Sequence, residues 1–381
     1  MLITGAVLER SGAEAPYAQS HPFTVGELEL HPPGPGELLV RIEAAGVCHS
    51  DLSVVDGNRV RPTPMLLGHE AAGIVEVVGD AVTDVEAGAR VVMTFLPRCG
   101  DCEGCRTDGR LPCAPGTAAN NAGTLIGGGV RLQRATAAGA EPVNHHLGVS
   151  AFATHAVVSR TSVVPVDADV PADIAALLGC AVLTGGGAVI NAGRPAQDDR
   201  VIVVGLGGVG MAALLVAVAL GHDVIGVDTV PGKLDLARAC GAVEALTPAD
   251  AVDRGIRAPV VVEAAGAAPA LETALALTAP GGTTVTVGLP APDARARVSP
   301  LQLTAEARTI VGSYLGSAVP SRDIPRYIEL WRAGRLPLER LVSSRIGLGD
   351  IDAAMDRLAA GGELRQLITF DPARSLERKD A

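Results

Sequence analysis

The stretch that most constrains the fold combines a short β-branched run with a glycine-rich turn near the middle of the chain. Residues 201–204 (V-I-V-V) are followed by Gly205, Gly207 and Gly210 in the pattern G-x-G-x-x-G, and then by an apolar segment that ends at Gly221. A short apolar run of β-branched residues is typical of a buried strand in a parallel sheet. The segment after the glycines predicts a helix capped by Gly221.

These glycines and a later acidic residue predict a dinucleotide site. Gly205 suits a tight turn, Gly207 lets the backbone approach a pyrophosphate, and Gly210 lets the helix pack closely on the strand. The free N–H groups at the start of the helix favour phosphate. A second apolar run ends at Asp228, whose carboxylate would accept hydrogen bonds from ribose hydroxyls and repel a 2′-phosphate. The pattern therefore favours NAD over NADP. The alternative interpretation is a plain glycine-rich turn between a strand and a helix.

Composition limits the partners of this chain. It has 381 residues, 48% of them hydrophobic, and a net charge of −11, so we expect two or three domains with a sizeable core. The negative charge argues against nucleic acid or an anionic membrane surface as a partner. The longest apolar run, at residues 211–220, is too short to span a bilayer. The N-terminus lacks a basic segment followed by an apolar block, so we expect a cytoplasmic protein.

Four of the seven cysteines lie within fifteen residues. Cys99, Cys102, Cys105 and Cys113 have the spacing C-x2-C-x2-C-x7-C. Four thiolates on one short segment can surround a tetrahedral ion with no open position. This spacing predicts a structural zinc whose binding energy holds a lobe with little apolar core of its own.

The remaining cysteines are harder to interpret one at a time. Cys48 follows a predicted strand, and His69 precedes another. Both residue types suit zinc, although either residue alone could be a core residue. Cys180 lies just before the predicted nucleotide-binding region. Cys240 has no cysteine nearby in the sequence and is interpreted as core.

The pattern of elements predicts an α/β protein with two kinds of sheet. Short strands separated by Gly and Pro at residues 1–87 favour a partly open β-barrel. Alternating strands and helices at residues 182–314 favour a doubly wound parallel sheet, the Rossmann arrangement. Residues 115–148 are rich in Gly, Ala and Asn, and predict a long irregular surface loop beside a cleft. Residues 371–381 are highly charged, and we expect them to fray.

Several motifs, in order and separation, resemble one family. They are Cys48-His-Ser-Asp, Gly68-His-Glu, the four-cysteine segment, Gly179-Cys, the glycine turn and the closing L-R-Q-L-I-T-F at residues 364–370. Over nearly its whole length the chain resembles the zinc-dependent alcohol dehydrogenases of the medium-chain dehydrogenase/reductase superfamily. The resemblance implies a GroES-like catalytic domain at residues 1–181, with the structural zinc lobe at 95–115. A dinucleotide-binding domain at 182–314 and a return to the catalytic domain at 315–381 would follow.

The resemblance also implies a role for individual residues. The Cys₂His set known for alcohol dehydrogenases falls on Cys48, His69 and Cys180, with a water or substrate oxygen as fourth ligand. Asp51 would orient His69, and Glu70 would lie near the metal. The other implied roles are a hydrogen bond from Ser50 to the substrate hydroxyl, Phe95 in the substrate pocket, Thr184 against the nicotinamide, His49 and Arg365 at the pyrophosphate, and Lys233 at the adenosine ribose.

Three positions depart from the family pattern. His49 stands where some members have arginine, and it is a weaker, titratable partner for phosphate. The segment N-H-H-L-G-V-S at residues 144–150 is one residue shorter than a similar pocket wall in animal-type and glutathione-dependent members. Ser53 stands where many members have a histidine that passes the substrate proton to solvent.

The function expected from these residues is an NAD-dependent, zinc-dependent alcohol dehydrogenase with two zinc ions per chain and a small alcohol or aldehyde as substrate. One alternative is a formaldehyde dehydrogenase that acts on a thiol adduct, since it shares the long segment at 115–148. Another is a non-catalytic relative that only binds NAD(P); the intact set of Cys48, His69, Cys180 and Ser50 argues against it. The resemblance further implies a homodimer, with candidate sheet edges at residues 283–289 and 309–314.

Overall fold

The computed structural model describes residues 1–370, so the predicted fraying of residues 371–381 lies outside the described part of the chain. The strands are β1 (Leu2–Leu8), β2 (Phe23–Leu30), β3 (Glu37–Val47), β4 (Met65–Leu66), β5 (Ala71–Val78), β6 (Arg90–Met93), β7 (Leu132–Thr136), β8 (Gly139–Pro142), β9 (Asn144–His145), β10 (His155–Ser159), β11 (Val163–Val166), β12 (Val201–Val204), β13 (Val224–Val227), β14 (Glu244–Leu246), β15 (Ala258–Glu263), β16 (Thr278–Thr286), β17 (Thr309–Gly312), β18 (Val342–Ile346) and β19 (Arg365–Thr369).

The helices alternate with strands mainly in the second half of the chain. They are α1 (Tyr17–Ser20), α2 (His49–Val55), α3 (Ala114–Ala122), α4 (Ala172–Leu177), α5 (Leu183–Gly187), α6 (Gly208–Ala219), α7 (Pro231–Ala239), α8 (Pro248–Asp253), α9 (Ala268–Ala276), α10 (Pro300–Ala305), α11 (Pro320–Arg332) and α12 (Ile351–Ala359). Short 3₁₀ turns lie at Gly104–Thr107, Arg160–Ser162, Tyr314–Ser317, Leu338–Leu341 and Leu348–Asp350.

The predicted parallel sheet is present and has six strands. Its order is β14-β13-β12-β15-β16-β17, and every adjacent pair is parallel. This is the strand order of a classic dinucleotide-binding sheet, in which ligands bind beyond the carboxyl ends of the strands, where the order reverses. That point is at the end of β12, directly before the glycine turn. The α/β fold class with a doubly wound sheet is confirmed.

Two mostly antiparallel sheets form the other half of the molecule. Their orders are β8-β7-β2-β1-β4-β9 and β11-β6-β5-β3-β19-β18, and β10 also pairs with β3. The long strand β3 is central because it pairs with β5, β10 and β19. The chain therefore leaves the parallel sheet and returns, through β18 and β19, to the sheet that its first hundred residues began.

The segment at residues 115–148 is not the irregular loop that its composition predicts. It contains α3, and the hairpin β7–β8 is paired from Gln133 to Thr136. Cys113 caps α3, because its sulfur accepts a hydrogen bond from the amide of Gly116 at 3.4 Å, and a proline at the first turn suits the start of a helix. The small residues, interpreted as loop formers, are helix and hairpin residues here.

A long helical segment carries two residues of the predicted site. Residues 172–193 form one continuous helical segment, in which α4 and α5 are joined and followed by wider π-helical turns at Leu178–Val182 and Ala188–Gly193. This segment is long and apolar enough to cross a membrane by length and composition, but 89% of its apolar window is buried inside the protein. It is a core element, and it carries Cys180 and Thr184 between the two halves. π-Helical turns occur frequently at functional sites.

Candidate active site and metal centres

Three protein segments converge on one buried metal-binding set. Cys48 caps the start of α2, His69 lies two residues before β5, and Cys180 lies on the π-helical turn after α4. The ligand atoms of the three residues lie within 4.8 Å of one another, and all three residues are buried. Two sulfurs and one imidazole at this separation match the donors that zinc prefers.

Asp51 fixes the orientation of His69. The Nδ1 atom of His69 lies 3.0 Å from Oδ1 of Asp51, whose carboxylate also accepts hydrogen bonds from the amides of Cys48 at 3.1 Å and Gly68 at 3.3 Å. Because Nδ1 faces the carboxylate, Nε2 is left with a lone pair directed at the two thiols. Nε2 is buried and has no hydrogen-bond partner among the described residues. An unpaired buried nitrogen next to two thiols fits a metal ion.

The charge around the thiols also suits a cation. The hydrogen bond with Cys180, and then the positive charge of Arg365, lower the pKa of Cys48 well below its usual range, although burial opposes the shift. A thiolate, not a thiol, is the species that binds zinc. The set therefore fits zinc in its donors, orientation and charge.

Behind this set lies a buried ion pair between Glu70 and Arg365. The two side chains are 0% and 2% exposed, and Nε of Arg365 is 2.7 Å from Oε1 of Glu70. The other carboxylate oxygen accepts a hydrogen bond from the amide of Ala181 at 3.2 Å, beside Cys180. Burial raises the pKa of Glu70 to about 7, and the positive charge of Arg365 opposes this shift. A Cβ atom at Gly46 would lie 2.2 Å from this carboxylate, so Gly46 makes room for it.

The four predicted structural ligands lie together on the surface side of the molecule. The sulfurs of Cys99, Cys102, Cys105 and Cys113 are within 4.8 Å of one another, and three of the four residues are only partly buried. The amides of Cys99 and Cys102 donate to the sulfurs of Cys113 and Cys99 at 3.3 and 3.4 Å. Backbone hydrogen bonds at Cys105 and Ala114 lower the pKa of Cys102 to about 6. Burial instead raises the pKa values of Cys105 and Cys113, so a bound cation would be needed to keep all four as thiolates, the form that binds zinc.

The glycine turn has the tight geometry that its sequence predicts. Gly205 adopts a φ of +88°, which favours glycine, and a Cβ atom at Gly210 would lie 1.8 Å from the carbonyl oxygen of Gly205. Asp228 lies at the end of the next strand and accepts hydrogen bonds from the amides of Leu206 at 2.7 Å and Val230 at 2.9 Å. The carboxylate thus holds the glycine turn in place and still has lone pairs for ribose hydroxyls.

A single cleft of about 500 Å³ joins the buried ligand set to the glycine turn. It runs from Cys48 and Cys180 past Arg365 to Asp228. Most residues predicted to bind cofactor or substrate line it: His49, Ser50, Phe95, Thr184, Gly205, Gly207 and Lys233. His69, Asp51, Glu70 and Gly210 lie behind its wall. Ser53 also lines the cleft, and its hydroxyl donates to the carbonyl of His49 at 2.8 Å.

Sequence reasoning missed three residues of this region. His146 lies with Nδ1 3.3 Å from Oδ1 of Asp51, so this carboxylate has a histidine on each side. Tyr314 lies against Phe95, and Arg59 lines the cleft beyond α2. The sequence signals for His146 are a pair of adjacent histidines and the resemblance of residues 144–150 to a pocket wall, neither of which predicts its contact with Asp51. Tyr314 and Arg59 carry no local signal, because the fold alone brings residues 59, 95 and 314 together.

A parallel sheet with a glycine turn, a zinc-type ligand set at the same cleft and a separate four-cysteine cluster define a zinc-binding dehydrogenase. Two family models match the chain: the alcohol dehydrogenase GroES-like domain over residues 34–168 and the zinc-binding dehydrogenase domain over residues 208–333. The chain is 36% identical over 382 aligned residues to the Mycobacterium tuberculosis protein named "Putative alcohol dehydrogenase D". This alignment covers 97% of the chain and 100% of the relative.

Solved structures agree with the family matches. An alcohol dehydrogenase zinc-binding domain protein from Burkholderia ambifaria superposes with a TM-score of 0.89 at 32% identity, covering 97% of this chain and 99% of that one. The benzyl alcohol dehydrogenase of Acinetobacter calcoaceticus superposes with a TM-score of 0.87 at 30% identity, covering 97% of this chain and 100% of that one. The chain belongs to the zinc-dependent alcohol dehydrogenase family of the medium-chain dehydrogenase/reductase superfamily, and it is an oxidoreductase of the alcohol dehydrogenase type.

Proposed function

We propose that this protein is an NAD-dependent alcohol dehydrogenase with one catalytic and one structural zinc per chain. The observation that carries the proposal is the single cleft onto which Cys48, Cys180, the glycine turn and Asp228 all open. A dehydrogenase needs its substrate and its dinucleotide in one cleft, because hydride passes directly from the substrate carbon to the nicotinamide. The cleft provides both sites.

Each residue near the proposed zinc would have a separate role. Cys48, His69 and Cys180 would hold the catalytic zinc, which, when bound, supplies Lewis acidity at the alcohol oxygen. Ser50 lines the cleft between this set and solvent, and would take the hydroxyl proton of the substrate. Asp51 would keep His69 oriented. Ser53 stores no proton near neutral pH, so the proton would pass from Ser50 to solvent at the mouth of the cleft.

The dinucleotide would lie along the other part of the cleft. The amides at the start of α6 and the side chains of His49 and Arg365 would bind the pyrophosphate, because they surround the glycine turn. Asp228 and Lys233 would bind the adenosine ribose, and Thr184 would lie against the nicotinamide. Burial lowers the pKa of His49, so it would act as a neutral hydrogen-bond donor near neutral pH.

Zinc content and cofactor reduction test the proposal together. The purified protein should contain two zinc ions per chain and reduce NAD with primary, secondary or aromatic alcohols, with benzyl alcohol a first choice because of the relative from Acinetobacter calcoaceticus. A chelator should remove one zinc and all activity before the far-ultraviolet circular dichroism changes, because only the catalytic site has an open position. One zinc in active protein would contradict the assignment. Rates that require formaldehyde plus a thiol would favour the thiol-adduct alternative.

Asp228→Ala tests the choice of NAD. Removing the carboxylate takes away an acceptor for two ribose hydroxyls and a charge that opposes a 2′-phosphate. We expect kcat/KM for NAD to fall by about tenfold to a hundredfold and the preference over NADP to narrow. Asp223→Ala, which removes a carboxylate at the amino end of β13, is the matched control. Better kcat/KM with NADP in the wild type would refute the assignment.

We also propose a cytoplasmic homodimer. β17 forms one edge of the parallel sheet, and Leu301, on the helix α10 that precedes β17 in the chain, is 76% exposed. The other predicted edge is wrong, because β16 lies between β15 and β17. An uncovered edge with exposed apolar side chains favours pairing with a second copy. Light scattering should give the mass of two chains, and a monomer would rule the proposal out.

A further inference from the structure

We propose that the cleft prefers alcohols and aldehydes carrying a carboxylate at the end distant from the reacting carbon, and that Arg59 binds this carboxylate. The inference rests on the proposed function and adds a substrate class to it. It is carried by an unpaired cation in the cleft that also contains an aromatic wall beginning at the proposed catalytic ligand set.

The aromatic wall indicates the direction in which a substrate would extend from the ligand set. The ring of His69 contacts the ring of Phe95, with centroids 5.5 Å apart, and Phe95 contacts Tyr314, with centroids 5.6 Å apart. Both pairs are edge-to-face. Phe95 and Tyr314 line the cleft, so a substrate whose oxygen lies at the ligand set would extend along them. A flat apolar spacer, such as one aromatic ring, fits this wall.

Arg59 and Tyr314 line the same cleft. Burial raises the pKa of the Tyr314 phenol, whereas the positive charges of Arg61 and Arg59 lower it. Arg61 donates from Nη1 to Oδ1 of Asn121 at 2.5 Å and to the carbonyl of Asn120 at 3.3 Å. Arg61 is thereby held by neutral acceptors at the end of α3, and its charge is not neutralised.

Arg59 has even fewer partners. Its side chain is half-buried and lines the cleft, and within residues 1–370 it has no carboxylate within 4.0 Å and no side-chain hydrogen bond. The nearest carboxylate in sequence, Asp56, accepts hydrogen bonds from the amide and the side chain of Asn58 at 2.8 Å. An unpaired guanidinium facing a partly desolvated cleft favours a planar anion, which it can bind through two parallel N–H groups.

The dinucleotide does not account for Arg59. The cations assigned to it are elsewhere: a Cβ atom at Gly208 in the glycine turn would lie 2.4 Å from Nη1 of Arg365, and Lys233 is on α7 directly after Asp228. Arg59 instead shares the cleft with Tyr314, which contacts Phe95 beside the ligand set. The anion that Arg59 would bind is therefore part of the substrate.

Three probes of similar shape test this assignment: benzyl alcohol, 4-(hydroxymethyl)benzoate and the methyl ester of that acid. The wild type should show a higher kcat/KM for the acid than for the neutral ester, and increasing ionic strength should reduce this preference. In Arg59→Gln the ratio of the acid to benzyl alcohol should fall by about tenfold, since a half-exposed charge pair is partly screened. Arg59→Lys, which keeps the charge, should retain part of the preference.

Arg200→Gln is the matched control. It also removes one arginine, but before the amino end of β12, where Arg200 lies 3.9 Å from Asp223 and away from the cleft; it should leave all three rates unchanged. An acid that reacts no better than the ester, or a ratio that Arg59→Gln does not lower, would overturn the inference while benzyl alcohol turnover still supports the proposed function. Failure of all three alcohols to reduce NAD would refute both.

Discussion

The two metal-ligand sets are assembled in opposite ways. The four cysteines of the structural cluster come from one segment, lie partly exposed, and receive hydrogen bonds mainly from their own backbone. Cys48, His69 and Cys180 come from three distant segments and are buried. Asp51 orients His69, and Arg365 of β19 pairs with Glu70 behind the set. If both sets bind zinc as proposed, we expect the first set to depend on its metal to hold its lobe together, and the fold to hold the second set in place.

The largest expected effect comes from replacing one predicted ligand in each set with alanine. Cys48→Ala should lower turnover by at least about a thousandfold, since it removes a ligand of the catalytic ion, while the melting temperature stays near that of the wild type. Cys102→Ala should instead lower the melting temperature and the soluble yield. Thermal melts and zinc analysis of both variants test whether the two sets differ in this way. A larger decrease in melting temperature for Cys48→Ala than for Cys102→Ala would contradict this difference between the two sets.

The next test addresses what holds the buried set in place. Arg365→Leu leaves Glu70 buried without its partner, and removing one partner of a buried ion pair destabilises by about 3 kcal/mol. Urea unfolding should show this loss. Adding Glu70→Gln to Arg365→Leu should restore part of the stability, because no uncompensated charge then remains.

The control for this test is Arg332→Leu. It removes an arginine that pairs with Asp167 and Asp169 on the surface, and it should cause a far smaller loss. Equal losses for the buried and the surface arginine would mean that the ion pair does not support the buried set.

The smallest expected effect concerns how the unfolding free energy depends on pH through a histidine that is not a predicted metal ligand. His145 is buried outside both ligand sets, and its Nε2 accepts a hydrogen bond from the amide of Arg131 at 3.0 Å. Burial lowers the pKa of His145 to about 3, below its ordinary value near 6.5, so the unfolded chain binds the proton first. Stability is therefore complete above about pH 6.5 and falls as the pH drops, by up to about 1.4 kcal/mol per pH unit.

His145→Gln keeps an acceptor for Arg131 but cannot take up this proton. Its unfolding free energy should vary less between pH 6.5 and pH 4.5 than that of the wild type, measured by urea unfolding. Identical profiles of unfolding free energy against pH for the two proteins would show that His145 does not contribute to the loss of stability in acid.

The same contrast explains what the sequence could predict. The four-cysteine cluster and the glycine turn are local, so spacing alone predicted their residues and their geometry. The set of Cys48, His69 and Cys180 became a prediction only through resemblance to a family, because no local pattern connects such distant residues. The segment at 115–148 was predicted wrongly, since small residues suit a loop, a helix and a hairpin alike. Arg59 and Tyr314 were missed because tertiary packing alone places them at the cleft.

The position of β19 has a consequence for how the protein is made. Synthesis proceeds from the N-terminus, so all seven predicted metal ligands leave the ribosome before Arg365 does. Until β19 pairs with β3, Glu70 has no guanidinium partner beside the catalytic set. On the proposed assignment, the nascent chain would bind its structural zinc early, but the catalytic centre would reach its final charge balance only when β19 is released. We expect a chain truncated before residue 365 to fold its four-cysteine lobe and to leave the catalytic centre incomplete.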